Sequence, residues 1–203
     1  MTVEPLSSSL LQLAEAIRTS PHNLVSRRAR GELTDRHLPE CRAFAHVLPP
    51  DRRVLDLGSG GGLPGLVIAL ERPDLAVELL EATGKKVTFL RETAQSLGVQ
   101  VAVHQGRAED LGRSTLAGRF EVVTARALAP LDRLAGWAAP FLTPGGCLYA
   151  IKGARWQEEL DAAGPTLRAH GLEVVGTPED HPQLRPDPDS PHRPLVVMLA
   201  HRS

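Results

Sequence analysis

Aromatic side chains are scarce: four phenylalanines, two tryptophans and one tyrosine make up 3% of 203 residues. That excludes a broad base-stacking platform of the kind single-strand binders use. Cysteine is scarcer still, with Cys41 and Cys147 far apart in the chain. A disulfide framework is excluded, and the pair fits a reduced, cytoplasmic setting. The eight histidines show no metal-ligand spacing and the cysteines complete none, so no metal site is expected. No apolar run approaches a membrane span, and the first residues lack the basic-then-apolar pattern of a secretory leader. The formal net charge is −1, which gives no global attraction to nucleic acid. Any such contact must come from a local patch. A hydrophobic content of 42% over this length suits one α/β domain, expected to act as a monomer.

What the chain does have is concentrated in Val54-Leu55-Asp56-Leu57-Gly58-Ser59-Gly60-Gly61-Gly62-Leu63-Pro64-Gly65. A short apolar strand ends in an acid, five glycines fall in eight residues, and a new apolar run begins. Such a loop admits a ligand where any Cβ would clash. The helix that follows offers free N–H groups and a positive dipole end. Asp56 would repel a phosphate but suits a cationic or hydroxyl-rich ligand. S-adenosylmethionine is both, with a sulfonium and an ammonium at one end and a ribose at the other. The rival is a dinucleotide, because Gly60, Gly62 and Gly65 satisfy G-x-G-x-x-G. In that fold the first glycine ends the strand directly. Here the register is acid-x-Gly-Ser-Gly, which favours the methyl donor. Pro64 is expected in the first helical turn, where its missing N–H costs nothing.

Along the chain, Leu10, Leu13, Ala14 and Ile17 predict an amphipathic helix over 6–18, with Ser7 to Ser9 as possible caps. Residues 20–37 read as polar and irregular. A second helix is expected from Pro39 to Val47, ended by Pro49-Pro50. Strand–helix alternation follows, with strands predicted at 53–57, 76–81, 99–104, 120–125 and 146–151. The stripe Val87, Leu90, Ala94 and Leu97 marks a helix over 84–97. Two more strands are expected near 172–176 and 194–200, allowing a final antiparallel hairpin after a proline-rich loop at 177–193. The expected fold is α/β: a mostly parallel seven-stranded sheet with helices on both faces. Residues 1–50 form a short helical extension and 51–203 the core.

Ligands of such sheets bind beyond the carboxyl ends of the strands. Glu81 follows the second strand, where a carboxylate can accept both ribose hydroxyls. Glu109 and Asp110 follow the third strand, where an acid can accept from an adenine amino group. Asp110 also reads as a helix N-terminal acid. Arg126 closes the fourth strand and is either an ion-pair partner or a donor to an acceptor such as guanine O6. Enzymes that methylate exocyclic amines usually carry Asn/Asp-Pro-Pro-aromatic at that place. This chain has Thr124-Ala125-Arg126-Ala127-Leu128 instead. Lys152 closes the fifth strand with Arg155 beyond it, and either could meet a phosphate. Arg27, Arg28, Arg30, Arg36 and His37 cluster upstream, diluted by Glu32 and Asp35. Cys41 has no motif that would make it a nucleophile.

These segments together resemble the ribosomal RNA small subunit methyltransferase G family, also called the glucose-inhibited division protein B family. The resemblance is carried by Asp56–Gly65, Arg72-Pro73-Asp74-Leu75, Glu81-Ala82-Thr83-Gly84-Lys85-Lys86-Val87-Thr88-Phe89-Leu90, Gly106-Arg107-Ala108-Glu109, Ala125-Arg126-Ala127 and Lys152-Gly153. Asn23-Leu24 and Arg36-His37-Leu38 look like the family's leading segment. The match spans about residues 22–160. It implies a Rossmann-like class I methyltransferase fold and S-adenosylmethionine as methyl donor. It also implies methylation of guanine N7 in small-subunit ribosomal RNA, free or in an assembling subunit. Family donor contacts map onto Gly58, Leu63, Glu81, Ala82, Thr83, Ala108, Glu109 and Arg126. To these the glycine-loop argument adds Asp56 and Gly60, and the substrate set is Arg36, His37, Arg126, Lys152 and Arg155. Two departures stand out. The second-strand acid is usually aspartate, and the closing Arg-His-Leu is here His192-Arg193-Pro194-Leu195. Two alternatives stay open: a methyltransferase for a small molecule or protein, and a non-catalytic RNA-binding assembly factor.

Overall fold

The computed structural model describes residues 5–178 and 195–202. Its centre is a seven-stranded sheet in the order β3-β2-β1-β4-β5-β7-β6. The strands are β1 (Arg53–Leu57), β2 (Ala76–Glu81), β3 (Ala102–Gln105), β4 (Phe120–Arg126), β5 (Leu142–Lys152), β6 (Leu172–Gly176) and β7 (Leu195–His201). Strands β1 to β5 run parallel, and β7 lies antiparallel between β5 and β6. The expected closing hairpin is therefore present. Most of the proline-rich loop at 177–193, with His192-Arg193-Pro194, lies outside the described residues.

Side chains alternate across the sheet and so feed two cores. Val54, Val77, Leu79 and Val122 face one side. There they meet α1 (Ser8–Thr19), α3 (Leu38–Ala45), α4 (Gly65–Glu71) and α5 (Gly84–Leu97). Leu55, Leu57, Leu80 and Val123 face the other side, beneath α7 (Leu131–Ala138) and α8 (Trp156–Ala169). The first helix begins where its cap chemistry says it should. Ser7 Oγ accepts from Leu10 N at 3.3 Å, and Leu10, Leu13, Ala14 and Ile17 are all buried. Truncating Leu13 to alanine should cost about 2–5 kcal/mol.

The segment read as irregular is not irregular. It contains α2 (Arg27–Gly31) and a π-helical turn over Leu33–His37. Ser26 caps α2 by accepting from Ala29 N at 3.1 Å. Arg28 with Glu32 and Arg36 with Glu40 add i,i+4 pairs. Leu24 and Leu33 anchor the segment from below. Charge pairing and two spaced leucines carry no helical stripe, so periodicity missed them. The third strand starts three residues later than expected. Gly98, at φ 69°, ends α5, and Val99 N still donates to Ala94 O. The chain cannot join the sheet until that cap is complete. A four-residue helix, α6 (Ala108–Leu111), follows β3.

Candidate functional site

The carboxyl ends of β1, β2, β3 and β4 surround a cavity of about 750 Å³. Its floor is the glycine loop after β1. Gly60 holds φ at 55° and donates its N–H to Glu81 Oε2 at 3.0 Å. A side chain there would be strained by the backbone alone. Gly65 opens α4 at close quarters: a Cβ on it would lie 2.6 Å from Asp56 Oδ2.

The two strand-end acids do different things. Asp56 is 1% exposed and does not line the cavity. Its Oδ1 accepts from Thr124 Oγ1 at 3.1 Å and its Oδ2 from Gly65 N at 3.2 Å. Its backbone oxygen accepts from Ser59 Oγ at 2.9 Å. Burial raises its carboxyl to about 6, against the pull of these donors. Asp56 therefore ties the loop to β4, and the expectation that it meets a cationic ligand is corrected. Glu81 lines the cavity. Its Oε2 holds Gly60 N and its Oε1 accepts from Thr83 N at 2.8 Å. A carboxylate has about four acceptor sites, so two remain for ribose hydroxyls.

Gly58, Gly60, Leu63, Glu81 and Ala82 line this cavity, as do Ala108, Glu109 and Arg126. Thr83 does not; its role here is the backbone bond to Glu81. Arg36 and His37 also line it, brought in by the π-helical turn. Arg126 is half-buried and fastened to that segment. Its Nη2 contacts His37 Nδ1 and lies 3.3 Å from Glu40 Oε2, while its Nη1 lies 3.7 Å from Cys41 Sγ. The Cys41 thiol is fully buried and pushed up to about 12, so it is no nucleophile.

A second cavity of about 420 Å³ shares Arg36, Arg126, Ala127 and Leu128 with the first. Leu128 lies over the glycine loop: a Cβ on Gly58 would come within 2.9 Å of its Cδ2. Ala127, at φ 50°, takes a conformation that side chains rarely adopt, which marks this turn as strained. Lys152 lines the second cavity but is not an open cation. Its side chain is 7% exposed, with Nζ 2.5 Å from Glu159 Oε2 and donating to Ala129 O at 2.9 Å. The expected phosphate contact is thus corrected to a buried ion pair. Arg155 is exposed beside α8 and lines neither cavity. Sequence reasoning also passed over Trp137 and Leu128 in the first cavity wall. Among the described residues no group of three His, Cys, Asp or Glu is placed to hold a metal ion, and no helix is long and apolar enough to cross a membrane.

A similar fold occurs in solved structures of low sequence identity. A predicted O-methyltransferase from Agrobacterium tumefaciens gives a TM-score of 0.60 at 18% identity, covering 81% of each chain. TYW2 of M. jannaschii, in complex with AdoMet, gives 0.62 at 14% identity over 82% of this chain and 76% of that one. These establish the class I methyltransferase fold. At the sequence level, the ribosomal RNA small subunit methyltransferase G of Nocardioides sp. is 48% identical over 157 residues, covering 77% of this chain and 60% of the relative. That of Kineococcus radiotolerans is 46% identical over 181 residues, covering 87% and 67%. The chain thus spans about 60–67% of the length of these curated relatives. The model of the rRNA small subunit methyltransferase G family matches residues 8–185. With most of the described core inside that match, the chain belongs to the rRNA small subunit methyltransferase G family.

Proposed function

We propose that this chain is an S-adenosylmethionine-dependent methyltransferase acting on N7 of a guanosine in small-subunit ribosomal RNA. The observation that carries the reading is the cavity floored by the glycine loop, with Glu81 at its side and Arg126 at its junction with a second cavity. The loop gives backbone N–H groups and open space, Glu81 gives acceptors for a ribose, and the positive end of α4 lies behind the loop. Bound there, the donor supplies an electrophilic methyl group on its sulfonium.

The protein's own work is placement. Guanine N7 carries a lone pair and no proton, so no general base is needed. Holding two reactants in line supplies up to roughly 7–11 kcal/mol in favourable cases. Arg126 is the cation shared by both cavities together with Arg36, and it can hold an acceptor edge of the base. The turn Thr124-Ala125-Arg126-Ala127-Leu128 offers no Asn/Asp-Pro-Pro-aromatic apparatus for an amino group. That supports a ring nitrogen as target. The helices between residues 8 and 45 serve as an extension of a single domain, and the unit acts as a monomer on RNA, free or in an assembling subunit. Arg27, Arg28, Arg36 and Arg155, all exposed, are the candidates for phosphate contacts.

Calorimetry with S-adenosylmethionine, its demethylated product and the nicotinamide dinucleotides tests the donor. Binding of the first two and not of the dinucleotides is expected. Dinucleotide binding alone would overturn the reading.

A further inference from the structure

Trp137 stands apart from every other aromatic residue of the chain. The four phenylalanines, Tyr149 and Trp156 are all buried, none more than 9% exposed. Trp137 is half-buried and lines the larger cavity. Its helix does not need it for the core, because Leu131, Leu134, Ala135 and Ala138 already form the buried stripe of α7 at i, i+3, i+4 and i+7. The indole sits beside that stripe, with the Arg133 guanidinium over its ring at 4.9 Å. A cation over the indole is attracted by its quadrupole and helps fix the ring's orientation.

The ring's position in the cavity says what could meet it. Helix α6, which opens with Ala108 and Glu109 after β3, packs against α7. Pro140, three residues beyond Trp137, lies against Gly112 at the end of α6, where an added Cβ would be 3.0 Å from the proline Cβ, so Trp137 belongs to the β3 end of the cavity. Glu81 closes the neighbouring strand β2, and Arg126 lies on the other side, at the end of β4. A nucleoside whose ribose meets Glu81, with its charged tail toward the glycine loop and Arg126, must carry its purine toward Ala108 and Trp137. The second cavity, which opens at Ala127 to Pro130, is not lined by Trp137. The target base is thus not what this ring serves.

We propose that Trp137 is the aromatic wall for the adenine ring of the methyl donor. The inference rests on the methyl-donor reading given above. A purine has a flat, neutral π-face, and stacking it on an aromatic side chain is worth about 1–3 kcal/mol per base. Losing such a contact weakens binding about five- to 140-fold.

With only two tryptophans, the chain provides its own optical test. In Trp156→Phe the emission comes from Trp137 alone. Titration with S-adenosylhomocysteine should change that emission, saturating at the affinity found by calorimetry. Adenosine should give the same change more weakly, and methionine should give none. In Trp137→Phe, where only buried Trp156 emits, the change should vanish while affinity falls no more than a few-fold. Trp137→Leu, checked for folding by circular dichroism, should bind S-adenosylhomocysteine about tenfold more weakly. Calorimetric binding with unchanged Trp137 emission, or with full affinity in Trp137→Leu, would overturn the assignment and leave the donor reading standing. If the unmodified protein binds neither S-adenosylmethionine nor S-adenosylhomocysteine, both readings fall together. Should the leucine variant not fold, the emission of Trp156→Phe still decides the matter.

Discussion

The ends of β1 and β2 carry the same kind of group on adjacent strands, yet the two carboxylates have opposite fates. Asp56 pairs in register with Leu79, so Glu81 reaches two residues further along the sheet. That offset, about 6–7 Å of strand, separates a buried staple from a cavity wall. Asp56 lies under α4, holding Gly65 N and Thr124 Oγ1. Glu81 bends over the loop from outside and holds Gly60 N and Thr83 N. Both therefore shape the glycine loop, but only Glu81 keeps acceptor capacity facing the cavity. An acid at a strand end is thus read by its depth along the strand.

The sharpest way to break this contrast is to crowd the staple. Gly65→Val would place carbon within 2.6–2.9 Å of the Asp56 side chain. It should abolish donor binding and lower stability by several kcal/mol, of the order of 3 or more, measured by denaturant unfolding. Unchanged stability would mean that the loop is not packed against Asp56.

Titration gives the next effect. The folded Asp56 carboxyl keeps its proton up to about pH 6, against a reference value of 3.8. The native state thus binds more protons than the unfolded chain between those values. This group's contribution to stability is present at low pH and is lost as pH rises through that window. Relative to Asp56→Asn, the unmodified protein should lose on the order of 2–3 kcal/mol between pH 4 and pH 7. Parallel stability curves for the two would contradict the burial of that carboxyl.

Glu81→Gln should act on stability and on binding together. It keeps nearly the same volume but only one acceptor oxygen, so one of the backbone bonds from Gly60 and Thr83 is lost and stability should fall by about 1–3 kcal/mol. Donor affinity should fall about tenfold, since a charge-assisted acceptor becomes a neutral one. A variant with intact affinity would remove Glu81 from the donor site.

The smallest effect concerns the exposed arginines. The Arg28 side chain is 81% exposed and, among the described residues, pairs with Glu32 in an i,i+4 contact. Arg28→Ala should leave stability within about 0.5 kcal/mol. If Arg28 meets an RNA phosphate, the salt slope of log affinity should become shallower by about 0.7–0.9. An unchanged slope would make it part of a solvated face.

Much of this molecule was legible in its sequence, for local reasons. The glycine loop, the two flanking strands and the 84–97 helix announce themselves within a dozen residues each. Strand–helix alternation then dictates a parallel sheet with the loop at its carboxyl edge. What escaped depends on distant partners. Lys152 reads as a rim cation until Glu159, on the next helix, is seen to bury it. The π-helical turn that turns His37 toward Arg126 joins residues 89 positions apart. Trp137 lies beside the buried Leu131, Leu134, Ala135 and Ala138 stripe of α7, and only the folded chain places it at a cavity wall. Asp56 was visible as a strand-end acid, but the sequence offers no measure of how deep along the strand it sits.

What separates this reading from its rivals is the atom that receives the methyl group. Small-subunit ribosomal RNA from cells lacking the gene, incubated with the purified chain and S-adenosylmethionine, then reduced and cleaved with aniline, tests it directly. N7 methylation leaves a positively charged guanine prone to this scission, so one new cleavage stop is predicted, dependent on Arg126. Methyl transfer to an exocyclic amine or a ribose, or no transfer to RNA while the donor binds normally, would contradict it.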